Sequence, residues 1–178
     1  MLTTYIALLR GINVSGQRMI KMDELKKVLG ELNFTNVRTY IQSGNIIFEV
    51  EKTDQDYLEK QIGEQILNYF GFPVSIVIRS RPELEKIHNS NPFLEKRNEP
   101  VDKLYVTFFP EEPDPDHLIK IEGNLFLPDE FVVSGREVYL FCPNGYGRTK
   151  LTNKFFENKL KVLATTRNRK TIEMLLKF

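Results

Sequence analysis

The feature that most constrains the fold is a hairpin pattern that occurs twice in the chain. Residues 40–48 read Tyr-Ile-Gln-Ser-Gly-Asn-Ile-Ile-Phe, and residues 131–139 read Phe-Val-Val-Ser-Gly-Arg-Glu-Val-Tyr. Each places Ser-Gly between β-branched and aromatic residues, which is typical of two antiparallel strands joined by a short turn. Because segments of helical periodicity flank both hairpins, the pattern predicts an α+β fold.

The first half of the chain has the element order β-α-β-β-α-β. Its helices show apolar residues at intervals of three and four, and Gly71 is placed as the stop of the second helix. Strands are predicted at Thr4–Leu9, Val37–Ile41, Ile46–Val50 and Val74–Ile78, and helices at Met22–Leu32 and Leu58–Phe70.

The second half repeats this order after a connecting helix and a polar, proline-bounded linker. Strands are predicted at Leu104–Phe109, Glu130–Val133, Val138–Cys142 and Val162–Ala164. Helices are predicted at Ser80–Asn91, Leu151–Lys159 and Arg169–Lys177, and a short helix is predicted to begin at Asp114-Pro115. We interpret the chain as two ferredoxin-like (split βαβ) modules in tandem, with connecting and C-terminal helices. The expected boundaries are 1–80 for module 1, 81–102 for the connecting helix and linker, and 103–178 for module 2. The alternative to an internal duplication is coincidence, since Ser-Gly turns are common.

The composition and the cysteine count exclude several classes of protein. With 41% hydrophobic and 28% charged residues, the chain is expected to fold rather than to be disordered. No apolar run approaches the roughly 18 residues of a membrane span, and no signal-peptide pattern opens the chain. A single cysteine, Cys142, cannot form an internal disulfide. We therefore expect a cytoplasmic protein without a membrane partner.

The expected topology brings polar residues of module 1 to one sheet edge. The end of the first strand and the turn between the second and third strands share an edge in a split βαβ module. Arginine, lysine and free helix N–H groups at such an edge can hold an anion. Alternatively, Asn13 and Asn45 only satisfy the turn backbone. The candidate ligand-binding residues here are Arg10, Gly11, Asn13, Lys21, Gln42, Ser43, Gly44 and Asn45, with Arg18 nearby.

A second group of candidates follows the third and fourth strands of module 2, whose ends share the opposite edge. Glycine allows close backbone approach to a ligand, a tyrosine offers a stacking face, and the basic residues supply charge. Neither a P-loop nor a dinucleotide fingerprint is present. These candidates are Tyr146, Gly147, Arg148, Lys150, Arg167 and Asn168.

Charge is segregated although the net charge is only +1. Residues 144–170 contain eight Lys+Arg and one Glu, a net +7, and residues 111–130 contain seven Asp+Glu and one Lys, a net −6. The basic stretch is consistent with binding phosphate or a nucleic-acid backbone. Complementary surfaces of a dimer, or simple solvation, are the open alternatives.

Several kinds of site are not indicated. His88 and His117 lack neighbours at metal-ligand spacing, so no metal site is predicted, and no cofactor is indicated. Cys142 ends an apolar strand and is expected to be a buried structural thiol. Acidic residues 111–116 lie among prolines in an expected exposed loop. No general base is identified, so any catalysis would depend on charge stabilisation.

Longer motifs identify a family. Residues 5–14 read Tyr-Ile-Ala-Leu-Leu-Arg-Gly-Ile-Asn-Val, and residues 38–45 read Arg-Thr-Tyr-Ile-Gln-Ser-Gly-Asn. With Gly-Arg-Thr-Lys-Leu-Thr at 147–152 and Thr-Thr-Arg-Asn at 165–168, they resemble the bacterial domain of unknown function 1697 family. The resemblance implies no established reaction. This chain has Arg169 where the family usually has Trp.

The leading functional hypothesis is a module that binds a phosphate-bearing ligand, either a nucleotide or a nucleic acid. Two alternatives stay open. One is an enzyme that uses the same residues to stabilise an anionic transition state, and the other is a protein-interaction or regulatory module.

Overall fold

The computed structural model describes residues 1–121 and 123–178, without the side chains of Lys96 and Asn124. Glu122, part of the acidic stretch, therefore lies outside the described residues. The chain divides into two compact units, unit 1 (Met1–Leu84 with Leu175–Phe178) and unit 2 (Glu85–Met174). Within the described ranges, no helix has both the length and the apolar character needed to cross a membrane.

Unit 1 contains a four-stranded antiparallel sheet in the order β2-β3-β1-β4. Leu8 of β1 pairs with Asn45 of β3, and Ile6 pairs with Arg79 of β4. The helices cover one face, where Leu25, Phe48 and Ile62 are buried. The elements are β1 (Leu2–Leu9), α1 (Met22–Leu29), β2 (Thr35–Tyr40), β3 (Asn45–Glu51), α2 (Gln55–Phe70), β4 (Ile76–Ser80) and α3 (Arg81–Asn89), the last crossing the boundary to unit 2.

Unit 2 contains a second four-stranded antiparallel sheet in the order β6-β7-β5-β8. Its core includes Phe109, Leu140 and Phe156. The elements are α4 (Pro92–Arg97), β5 (Leu104–Phe108), α5 (Pro115–Leu118), β6 (Glu130–Ser134), β7 (Glu137–Phe141), α6 (Asn153–Leu160), β8 (Thr165–Asn168) and α7 (Arg169–Leu175), with short 3-10 turns at Val101–Lys103, Gly123–Phe126 and Tyr146–Arg148. The prediction of an α+β fold with two tandem sheet modules is confirmed.

The last strand of each sheet lies further along the chain than predicted. β4 begins at Ile76 instead of Val74, and β8 occupies Thr165–Asn168 instead of Val162–Ala164. Each strand contains a buried arginine, Arg79 or Arg167. A charged residue in a short strand breaks the apolar pattern. Apolar periodicity alone therefore places both strands two or three residues too early in the chain.

The stretch predicted as a linker contains helix α4. The side-chain Oδ1 of Asn91 accepts a hydrogen bond from the Phe93 N–H at 3.0 Å, and Pro92 opens the first turn. Asparagine caps helices and proline fits their first turn, so these two residues begin a helix here instead of a loop. Residues 85–102 group with unit 2, and residues 175–178 group with unit 1.

Candidate functional site

The polar edge of unit 1, which we call rim 1, consists of residues 10–21 and 41–45. The Leu9 N–H donates to the Gly44 carbonyl at 2.9 Å, where β1 ends beside the β2–β3 turn. The Asn13 side-chain amide donates to the Gln42 carbonyl at 2.8 Å. The structure therefore brings together the two segments that the sequence assigned to one edge.

Asn13 and Asn45 act on the backbone of rim 1. Asn13 donates to the Ile20 carbonyl at 2.9 Å and accepts from the Ile20 N–H at 2.8 Å. Asn45 is fully buried and donates to the Tyr40 carbonyl at 2.9 Å and to Ser43 Oγ at 3.0 Å. These contacts order the loop and the turn, which favours the structural alternative for both asparagines.

Gly44 is required by its conformation and by packing. Its φ is +78°, and an added Cβ would lie 2.6 Å from Cδ1 of Ile12. Gly11 has a φ of +67° and open space around it. Their glycine identity therefore follows from the backbone of rim 1.

The remaining candidates give rim 1 a polar, basic surface. Gln42 and Ser43 are exposed, and Arg10 is partly buried. The Nζ of Lys21 lies 3.7 Å from a carboxylate oxygen of Glu24, in a pair that stays largely exposed. Such exposed pairs contribute little to stability. The role of rim 1 in ligand binding stays a prediction.

In unit 2, two of the candidate residues, Arg167 and Asn168, make hydrogen bonds that support the fold. Arg167 is only 7% exposed, and its Nη1 donates to Thr165 Oγ1 and to the Thr166 carbonyl, both at 2.9 Å. The Asn168 side chain accepts from the Thr171 N–H at 2.7 Å and caps α7. The sequence predicts both residues in a loop, but they lie in β8. There these hydrogen bonds hold the strand and begin the helix that follows it.

Tyr146 is engaged inside unit 2. Its hydroxyl donates to Thr166 Oγ1 at 3.1 Å, and its ring centroid lies 5.1 Å from that of Tyr105. Thr166 Oγ1 in turn donates to Asn153 Oδ1 at 2.6 Å and contacts Thr107 Oγ1 at 2.7 Å. Tyr146 therefore packs against Tyr105 on one side, and this hydrogen-bond network anchors the turn that carries Arg148.

Arg148 and Lys150 line an open cavity of about 360 Å³, which we call the basic cavity. Both side chains are exposed. Neither forms a hydrogen bond or an ion pair with any other residue that the structure describes. Among the described residues, the lining is formed by Leu125, Phe126, Leu127, Pro128, Asp129, Asn144, Arg148 and Lys150. The sequence does not indicate the part of the lining formed by residues 125–129, which we call the wall. A short apolar run beside an acidic stretch shows neither helical nor strand periodicity.

The two glycines of this loop differ in what the backbone requires. Gly145 has a φ of +86° and ψ of 151°, a conformation essentially restricted to glycine. Gly147 has no positive φ, and nothing lies within 4 Å of an added Cβ. Neither conformation nor packing explains Gly147, so its missing side chain leaves the backbone beside Arg148 open to a close neighbour.

Titratable groups near the loop are structural. Cys142 is fully buried, and burial raises the pKa of its thiol to about 11, against a smaller lowering by a hydrogen bond with Thr149. Arg169 donates to the His88 carbonyl at 2.7 Å, and its partial burial lowers its pKa. Among the described residues, no group of three or more His, Cys, Asp or Glu side chains is arranged to hold a metal.

The chain belongs to the family described as "Protein of unknown function (DUF1697)", whose model matches residues 2–139. The resemblance seen in the motifs is thereby confirmed. A similar solved structure is that of the conserved bacterial protein SP0830 from Streptococcus pneumoniae, with a TM-score of 0.75 and 25% identity. The match covers 99% of this chain and 98% of that one. No curated protein matches the chain.

Proposed function

We propose that this member of the DUF1697 family binds a phosphate-bearing ligand in the basic cavity of unit 2. One observation carries the proposal: Arg148 and Lys150 line the same cavity, and neither side chain has a partner among the described residues. Arginine recognises phosphate through paired N–H donors, and lysine adds a mobile positive charge.

The rest of the cavity supports a small ligand. Its volume of about 360 Å³ falls within the range of small-molecule sites. The Asn144 side chain adds a neutral donor and acceptor at the same wall. Gly147 lets a phosphate oxygen approach the backbone beside Arg148 without meeting a Cβ.

Rim 1 remains a second proposed contact surface for the ligand or for nucleic acid. Residues 10–22 contain Arg10, Arg18 and Lys21 and no acidic residue. The hydrogen bonds of Asn13 hold this basic segment beside the exposed Gln42 and Ser43.

The proposed binding is tested by isothermal titration calorimetry with ribose 5-phosphate. Arg148→Ala is expected to weaken binding about tenfold or more, since a hydrogen bond to a charged group contributes about 1.5–3 kcal/mol. Lys154→Ala is the matched control, because Lys154 is an exposed cation of α6 that does not line the cavity. Equal affinity in the wild type and both variants would contradict the proposal.

We also propose that both modules are ferredoxin-like and arose by internal duplication. The support is the matching strand order of the two sheets and their matching ends. Leu9 N–H donates to the Gly44 carbonyl and Phe109 N–H to the Arg136 carbonyl, both at 2.9 Å. Arg79 and Arg167 hold equivalent positions, paired with Ile6 and Val106.

A cytoplasmic location in a bacterium completes the proposal. Its support is the single buried cysteine and the bacterial source of the similar structure.

A further inference from the structure

We infer that the ligand of the basic cavity is a nucleoside phosphate, an inference that rests on the proposed function. The observation behind it is the carboxylate of Asp129, which lines the same cavity as Arg148 and Lys150. A site for inorganic phosphate alone gains nothing from a carboxylate, because like charges repel at close range.

The opposite charges that line the basic cavity are not paired with each other. Within residues 1–121 and 123–178, Asp129 forms no ion pair with Arg148 or Lys150, although all three line one cavity. We call Arg148 and Lys150 the basic pole of this cavity, which attracts a phosphate, and Asp129 its acidic pole, which accepts hydrogen bonds. A ligand that fills both poles has an anionic end and an end that carries O–H or N–H donors.

The same lining contains an apolar wall. Leu125 is 70% exposed and Leu127 is 65% exposed, and Pro128 completes this surface. Phe126 is held from behind by an edge-on contact with Phe155, with the ring centroids 5.0 Å apart. A flat, weakly polar ring covers such a wall and removes its apolar surface from water.

A nucleoside phosphate combines the three required chemistries. Its phosphate matches Arg148 and Lys150, the face of its base matches the leucine wall, and its ribose hydroxyl or base amino hydrogens match Asp129. A sugar phosphate lacks the apolar face, and a free nucleoside lacks the anion.

The test is calorimetric titration of the intact chain with adenosine 5′-monophosphate, ribose 5-phosphate, inorganic phosphate and adenosine. We expect adenosine monophosphate to bind at least tenfold more tightly than ribose 5-phosphate. Leu127→Ser should reduce this preference, because it removes apolar wall. Arg148→Ala should weaken every phosphate compound, which tests the proposed function separately.

The acidic pole is tested with Asp129→Asn, which keeps the shape and removes the charge. We expect about tenfold weaker binding of adenosine monophosphate and no loss of inorganic phosphate binding, because a hydrogen bond to a charged acceptor contributes about 1.5–3 kcal/mol. Asp116→Asn is the control, an exposed carboxylate of α5 outside the cavity. The 2′-deoxy nucleotide and inosine monophosphate, which lacks the amino group, show whether the hydroxyl or the amino group supplies the hydrogen.

The possible failures are distinguishable. If adenosine monophosphate, ribose 5-phosphate and inorganic phosphate bind equally and all depend on Arg148, the proposed function stands and the nucleoside inference is wrong. If Asp129→Asn tightens adenosine monophosphate as much as inorganic phosphate, Asp129 only repels phosphate and the inference is also wrong. If no phosphate compound binds, both the inference and the proposed function fail.

Discussion

At the scale of single residues, the fold requires glycine at position 145, whereas only the proposed binding gives a reason for glycine at position 147. Gly145 occupies a conformation that side chains disfavour, whereas Gly147 does not. The sequence shows both glycines in the same way, and only the backbone angles distinguish them. We therefore assign the open approach beside Arg148 to Gly147 alone.

Substitution of each glycine by alanine tests this assignment. Gly147→Ala is expected to leave the free energy of unfolding unchanged or to raise it by up to about 1 kcal/mol, because the unfolded chain loses freedom. Gly145→Ala is expected to lower it by about 1–3 kcal/mol. Urea denaturation measures both values, and a destabilised Gly147→Ala protein would show that the fold requires this glycine.

The buried thiol of Cys142 gives a prediction for pH dependence. Its pKa is raised from an ordinary 9.0 to about 11, so the folded state holds the thiol proton more tightly than the unfolded state. The resulting stabilisation is complete below pH 9 and is lost as the pH rises through 11. The difference in unfolding free energy between the wild type and Cys142→Ala, measured by urea denaturation, should therefore shrink from pH 8 to pH 10.5. A constant difference would contradict the burial argument.

At the scale of secondary-structure elements, the sequence predicts the inner strands better than the outer ones. Strands β1, β3 and β7 each contain an apolar run, at residues 5–9, 46–48 and 138–141, and their core positions follow from these runs. The predicted positions of β4 and β8 differ from the observed ones because each strand contains a buried arginine. Apolar periodicity does not reveal such a residue, since its place in the strand depends on hydrogen bonds such as that of Arg167 to Thr165.

The same limit applies to the candidate site. Arg148 and Lys150 were predicted because charge beside glycine is visible in the sequence. The wall 125–129 and Asp129 join them only through the packing of segments far apart in the chain. Arg167 and Asn168 were wrongly expected in a loop, because a polar tetrapeptide is typical of a loop.

Helix α6 provides a local test of how the basic loop ends. The Thr152 hydroxyl oxygen accepts a hydrogen bond from the Phe155 N–H at 3.2 Å and caps the helix. Thr152→Ala is expected to lower the free energy of unfolding by about 1 kcal/mol, and Thr152→Ser should restore most of it. Equal stability of all three proteins in urea denaturation would show that this cap is unimportant.

At the scale of the whole molecule, the last residues of the chain belong to unit 1. Leu175 is buried, the Arg81 guanidinium donates to the Leu176 carbonyl, and the Phe178 ring lies 5.8 Å from that of Tyr40. The sequence predicts the C-terminal helix but not its division between the units, because the helix spans residues of both.

Removal of residues 175–178 should therefore loosen unit 1. The truncated chain loses the buried Leu175, a change that typically costs about 2–5 kcal/mol. Hydrogen exchange followed by mass spectrometry should show faster exchange in β1 to β4, with α6 and β8 changed less. Faster exchange confined to unit 2 would contradict the assignment of these residues.

The central claim, that the basic cavity of unit 2 receives a phosphate group, is tested most directly by NMR. Adenosine monophosphate is titrated into the 15N-labelled chain, and amide shifts are followed residue by residue. We expect saturable shifts at the backbone amides of residues 145–150, 125–127 and 129, lost in Arg148→Ala. Shifts confined to rim 1, or an absence of saturable shifts at millimolar ligand, would contradict the claim.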